Sequence, residues 1–151
     1  MKAMFWRKRK KEIDASVKLL DLYLAGSTVF FPGRERTPSE SAAVQVFMLG
    51  MADMQRQVKD TSWDNFLEIY KSILAKYGLA PRIATGRFVD VIGNVASKDE
   101  IVERVMILGA QSIARWVGER DANAPIDLIG ATKFAQDHPD SFIEVVRVGG
   151  T

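Results

Sequence analysis

Apolar residues recur every three or four positions along most of this chain, the spacing of helices that bury one face. Ile13, Val17, Leu20 and Leu24, with Leu19 and Tyr23 beside them, predict a first helix over about residues 6–25. Gly26 is expected to end it in a left-handed conformation. Val44, Phe47, Met51, Met54 and Val58 step along a second helix. Val46, Met48 and Leu49 make its middle apolar nearly all round, which marks a central, buried element. Its start is the clearest signal in the chain. Thr37-Pro38-Ser39-Glu40 offers an N-cap hydroxyl, a proline at the first helical position and a carboxylate that reaches back to the cap.

Trp63, Phe66, Leu67, Tyr70, Ile73, Leu74 and Tyr77 form one face of a third helix, capped by Thr61 with Asp64 and stopped by Gly78. A fourth, carrying Ile83, Phe88, Val91, Ile92 and Val95, is expected from Pro81 to Gly93-Asn94. Ser97 with Glu100 reads as a capping box for a fifth, whose core positions are Ile101, Val105, Leu108 and Trp116. A sixth runs from Ile126 to Asp137 and ends before Pro139. Residues 141–148 are rich in β-branched and aromatic side chains. Asp140-Ser141 before them can cap a turn, and a final helix is the expectation. Between the first two helices, Phe30-Phe31-Pro32-Gly33 is a turn signal, with a short extended piece expected at Thr28–Phe31.

These elements predict an all-α, single-domain compact bundle of five to seven helices. The second and fifth helices lie near its centre, and short connections make neighbours antiparallel. The 151 residues suit one domain. It divides into a basic arm over residues 1–11, a helical domain over 12–148 and a tail over 149–151.

Charge changes this picture. Residues 1–11 hold six of the 21 basic side chains and no acid, whereas the rest holds 15 basic and 19 acidic ones. The arm is therefore +6 and the body −4. Such a block repels itself and serves either as a contact for an anionic partner or as a solvated, frayed helix start. Trp6, Arg7, Lys8, Arg9, Lys10 and Lys11 are the candidate contact residues. With Met4 and Phe5 they suit an anionic membrane surface or a single-stranded nucleic acid equally well.

Other chemistry is sparse. There is no cysteine, which excludes disulfides, thiol catalysis and Cys-type zinc sites. The basic start resembles a signal n-region, but Glu12, Asp14, Lys18 and Asp21 interrupt the stretch that follows. No run approaches the ~18 apolar residues of a spanning helix. A cytoplasmic location is the expectation, with a peripheral membrane association left open. His138 is the lone histidine and reads as a helix end. Asp53 interrupts the most apolar helix, either on its one exposed stripe or facing Arg87 or Arg104. With Asp53, the carboxylates Asp90, Glu100, Glu103, Glu119, Asp121 and Asp127 could supply an acid/base pair or a hard-metal site, but nothing in their spacing demands one. Gly130-Ala131-Thr132-Lys133 lacks the pattern of a P-loop. A helix-turn-helix offering Arg82, Thr85 and Arg87 is disfavoured by Asp90 and by the acidic body.

No catalytic, cofactor or metal residue is assigned. Met48 and Met51 read either as core or as a pliable partner surface. Gly109, Ala110 and Ala114 form a small-residue patch where another helix can approach. The expected function is a small non-enzymatic interaction protein that self-associates, as a homodimer, through these residues and meets an anionic partner through its arm. The alternative is a nucleic-acid-associated regulator, and third comes an enzyme with an unrecognised carboxylate site.

Overall fold

The computed structural model describes residues 2–30 and 35–150, and the molecule is all-α. Among the described residues there are seven α-helices: α1 (Lys2–Ala25), α2 (Pro38–Lys59), α3 (Trp63–Lys76), α4 (Thr85–Ala96), α5 (Glu100–Gly118), α6 (Asp127–Asp137) and α7 (Ile143–Gly149). Short 3-10 turns occupy Thr28–Phe30, Ala124–Ile126 and Pro139–Phe142. The first of these replaces the expected extended piece. Phe30 lies against Tyr77 at 4.3 Å between ring centroids. Phe31, Pro32 and Gly33 of the expected turn lie outside the described residues.

The core is built around α2, which is buried without interruption from Ala42 to Ala52. Thr37 caps it as expected: its hydroxyl accepts from the Glu40 N–H at 3.1 Å, and the Glu40 carboxylate accepts from the Thr37 N–H at 3.3 Å. Asp60 closes its other end at φ 50°, a left-handed position that a short polar side chain tolerates.

The main partner of α2 is α5, which runs antiparallel to it. A methyl group on Gly50 would collide with the Met106 carbonyl, and one on Gly109 with the Phe47 carbonyl. The two glycines thus face opposite backbones and bring the helices into direct main-chain contact. Sequence reasoning found half of this crossing, Gly109. Gly50 was legible as a glycine retained inside a helix at a cost of ~1 kcal/mol.

Three polar groups tie other elements to this pair. Tyr70 donates to the Gln45 carbonyl at 2.7 Å. The Gln45 side-chain amide donates to the carbonyls of Leu79 (2.8 Å) and Gly149 (3.1 Å). Tyr23 bonds to the Ser112 hydroxyl and donates to the Ala124 carbonyl. Gly149, assigned to the tail by sequence, is therefore the buried last residue of α7.

Several helix ends differ from expectation. Gly26 does end α1, but without positive φ; a side chain there would press on Pro125, 3.3 Å away. Ser62, not Thr61, caps α3, accepting from the Asn65 N–H at 3.2 Å. Gly78 stops α3 with φ 69°. Residues 81–84 stay outside α4, with the Arg82 N–H bonded to the Val148 carbonyl at 3.0 Å. Helix α4 passes through Gly93-Asn94 to Ala96, and Ser97 closes it rather than opening α5. Asp99 caps α5 instead, accepting from the Ile101 N–H at 2.9 Å.

Candidate anionic-partner site

Helix α1 lies beside α3 and runs parallel to it, since Arg9 meets Asn65 and Asp21 meets Lys76. Its stripe of Ile13, Val17, Leu20 and Leu24 packs on the core as the spacing predicts. The arm is not separate from this helix: α1 is continuous from Lys2 to Ala25.

Two attachments hold α1 on α3. At the far end the Asp21 carboxylate accepts from Lys76 Nζ at 2.7 Å and from the Tyr77 hydroxyl at 2.5 Å. The Lys76 hydrogen bond, aided by that of Tyr77, holds the Asp21 carboxyl below its ordinary range. Burial and the neighbouring Asp21 charge push the Tyr77 phenol up. At the near end Arg9 Nε donates to Asn65 Oδ1. The Arg9 guanidinium also lies 5.8 Å from the Trp6 ring centroid, within cation–π range.

Before Arg7, which is level with the first residue of α3, the helix runs past its support. Met4, Phe5 and Trp6 are 74%, 73% and 62% exposed, and Arg7, Lys8, Lys10 and Lys11 are exposed with them. Trp6 lies on the angular sector occupied later in the helix by Ile13 and Leu20, and Phe5 on that of the buried Ser16 and Tyr23. The buried stripe therefore continues past the point where α3 begins.

The same overrun occurs on two neighbours. Val58 and Trp63 belong to stripes assigned to the core, yet both are exposed, in the last turn of α2 and at the first residue of α3. The helical period says which face points inward. It carries no information about where the neighbouring helix stops, which is why sequence placed both residues inside. A groove of about 480 Å³ separates α1 from the α2–α3 turn, between Glu12–Ser16 and Lys59–Ser62.

The remaining candidates go elsewhere. Met48 and Met51 are each 1% exposed and fill the core of a single chain, so they present no surface to a partner. Gly109 is occupied by α2. Ala110 is half-buried and Ala114 exposed. Asp53 pairs with Arg56 at 3.0 Å on the same helix and accepts from Gln57, rather than facing Arg87 or Arg104. Asp121 and Asp127 are engaged by Arg115. His138 is exposed at the end of α6. Arg82 precedes α4 and so is not on the helix proposed for groove reading. Among the described residues no group of three or more His, Cys, Asp or Glu is placed to hold a metal, and no helix is long and apolar enough to cross a membrane.

No family model matches the chain, and neither a characterised protein nor a solved structure matches it.

Proposed function

We propose that this is a non-enzymatic helical interaction protein that meets an anionic partner through the amino-terminal turns of α1. The observation that carries this reading is the placement of the charge. The six basic residues sit on a helix fixed to the body by Arg9–Asn65 and Asp21–Lys76, not on a separate tail. One of them, Lys2, stands in the first turn, where the positive pole of a helix dipole favours acids, and the other five follow in the next two turns, where they repel one another. The first turns of α2, α3, α5, α6 and α7 each carry an acid, whereas those of α1 and α4 carry none. A partner's negative charge supplies what this end lacks.

Retention on an immobilised polyanion such as heparin tests the reading. The protein should be held at low salt and released as salt rises. Lys8→Glu with Lys10→Glu should elute markedly earlier. Passage of the unaltered protein without retention at low salt would remove the proposal.

Self-association is a second component, supported by a surface that keeps Ala110 and Ala114 of the expected patch and loses Gly109, Met48 and Met51 to the core. Ile107, Ala110, Ala114 and Val117 recur at helical spacing on the outer side of α5, and Ile107 and Val117 are exposed. A dimer mass by light scattering, lost on Ala114→Glu, is the expected result. A monomer at high concentration counts against it.

A further inference from the structure

The exposed apolar residues of α1, α2 and α3 gather at one end of the bundle. Phe5, Lys8 and Arg9 share a groove with Ser62, Asp64 and Asn65, and Lys59 to Ser62 flank Glu12 and Ile13. Met4, Phe5, Trp6, Val58 and Trp63 therefore belong to the same end, with the basic residues of α1 among them. Because Arg9 is level with Asn65, the turns before Arg7 stand roughly 7 Å beyond the start of α3, at 1.5 Å per residue. We infer that this end docks on the surface of an anionic lipid bilayer, with Met4, Phe5 and Trp6 entering the headgroup boundary and Arg7 to Lys11 at the level of the lipid phosphates.

This inference rests on the proposed reading of α1 as an anionic-partner contact and names the partner. Two observations favour a bilayer over a nucleic acid. First, the exposed residues include aliphatic Met4 and Val58, which offer no ring on which a base can stack, whereas a lipid interface accepts aliphatic and aromatic groups alike. Second, the grooves on either side of the arm are lined by Glu12, Asp14, Asp64 and Glu68. A strand tracking along α1 would run into these carboxylates. A planar surface meets the projecting tip first; Asp64 is level with Lys8, and Glu12, Asp14 and Glu68 lie farther from it than the basic residues. Basic side chains near such a surface are attracted individually and release counterions together, while the apolar tip adds attachment that salt does not screen.

The test uses the full chain with vesicles of phosphatidylcholine alone, the same vesicles containing phosphatidylserine, and oligo-dT. Co-sedimentation is expected with the serine-containing vesicles and not with the neutral ones. Brominated phospholipid should quench tryptophan fluorescence, and Trp6→Phe should remove most of that quenching. Phe5→Ser with Trp6→Ser should weaken vesicle binding roughly ten-fold, and Lys8→Glu with Lys10→Glu at least as much. Both pairs are exposed, so circular dichroism should remain that of the unaltered protein. Binding to oligo-dT but not to vesicles would overturn the bilayer and leave the anionic-partner reading standing. Binding to neither, with no heparin retention, would overturn both. Full vesicle affinity of the Phe5/Trp6 variant, or vesicle binding of the unaltered protein without bromolipid quenching, would overturn entry of the tip.

Discussion

The crossing of α2 with α5 and the first turns of α1 show opposite uses of a helix. At the crossing every local choice serves packing. Gly50 and Gly109 remove side chains where two backbones meet, and acids stand in the first turn of each helix. In the first turns of α1 the choices run against stability. Five basic residues follow one another from Arg7 to Lys11 with like charges three and four apart, and large apolar groups stand in solvent. Consistency across levels is the signature of a region selected to fold, and its local failure points to function. The contrast is sharper because the two regions belong to one small domain under one selection for stability.

The largest effect that would break this comparison lies at the crossing. Gly109→Ala places a methyl group against the Phe47 carbonyl and should cost about 3 kcal/mol by overpacking. Urea unfolding would show this as a lower midpoint with unchanged slope. A loss below about 1 kcal/mol would mean that the helices separate easily and that the crossing is not tight.

A smaller effect is expected where α1 is fastened to α3. Asp21→Asn should cost about 1 kcal/mol or less, since the pair with Lys76 is partly exposed. Its pH dependence has a definite sign. The folded carboxyl is held below the usual 3.8, so its contribution is complete above that pH and is lost as pH falls through the lower, folded value. The variant should therefore lose less stability than the unaltered protein on acidification below pH 3.8. Parallel acid curves for the two proteins would contradict the assignment.

The smallest effect has the opposite sign. Lys8→Gln with Lys10→Gln relieves like-charge repulsion with Lys11 and Arg7, three residues away, and should leave stability unchanged or raise it by a few tenths of a kcal/mol. The same substitutions should weaken retention on heparin. A stability loss above about 1 kcal/mol would show that these residues serve the fold.

How much of this was legible before the structure depends on the range of the signal. The Thr37–Glu40 box is complete within four residues and reads correctly. The caps of α3 and α5 each shifted by one or two residues, because several nearby side chains could cap and only the closing geometry chose between them. The arm's charge was plain from composition. Its attachment was not, since Arg9 and Asn65 are far apart in sequence, and neither residue carries a local sign of the other.

Periodicity and composition determined that the chain is a helical bundle, that α2 and α5 are central, and that one end of α1 concentrates positive charge. These are properties of neighbouring residues, and the 3.6-residue repeat reports them directly. Only the tertiary structure decided which apolar stripes are covered. Met48 and Met51 lie inside because α5 and other helices enclose α2, while Val58, Trp63, Phe5 and Trp6 lie outside because the packing of α1, α2 and α3 ends before them. Burial is a property of the partner's length and position, and no single helix records it.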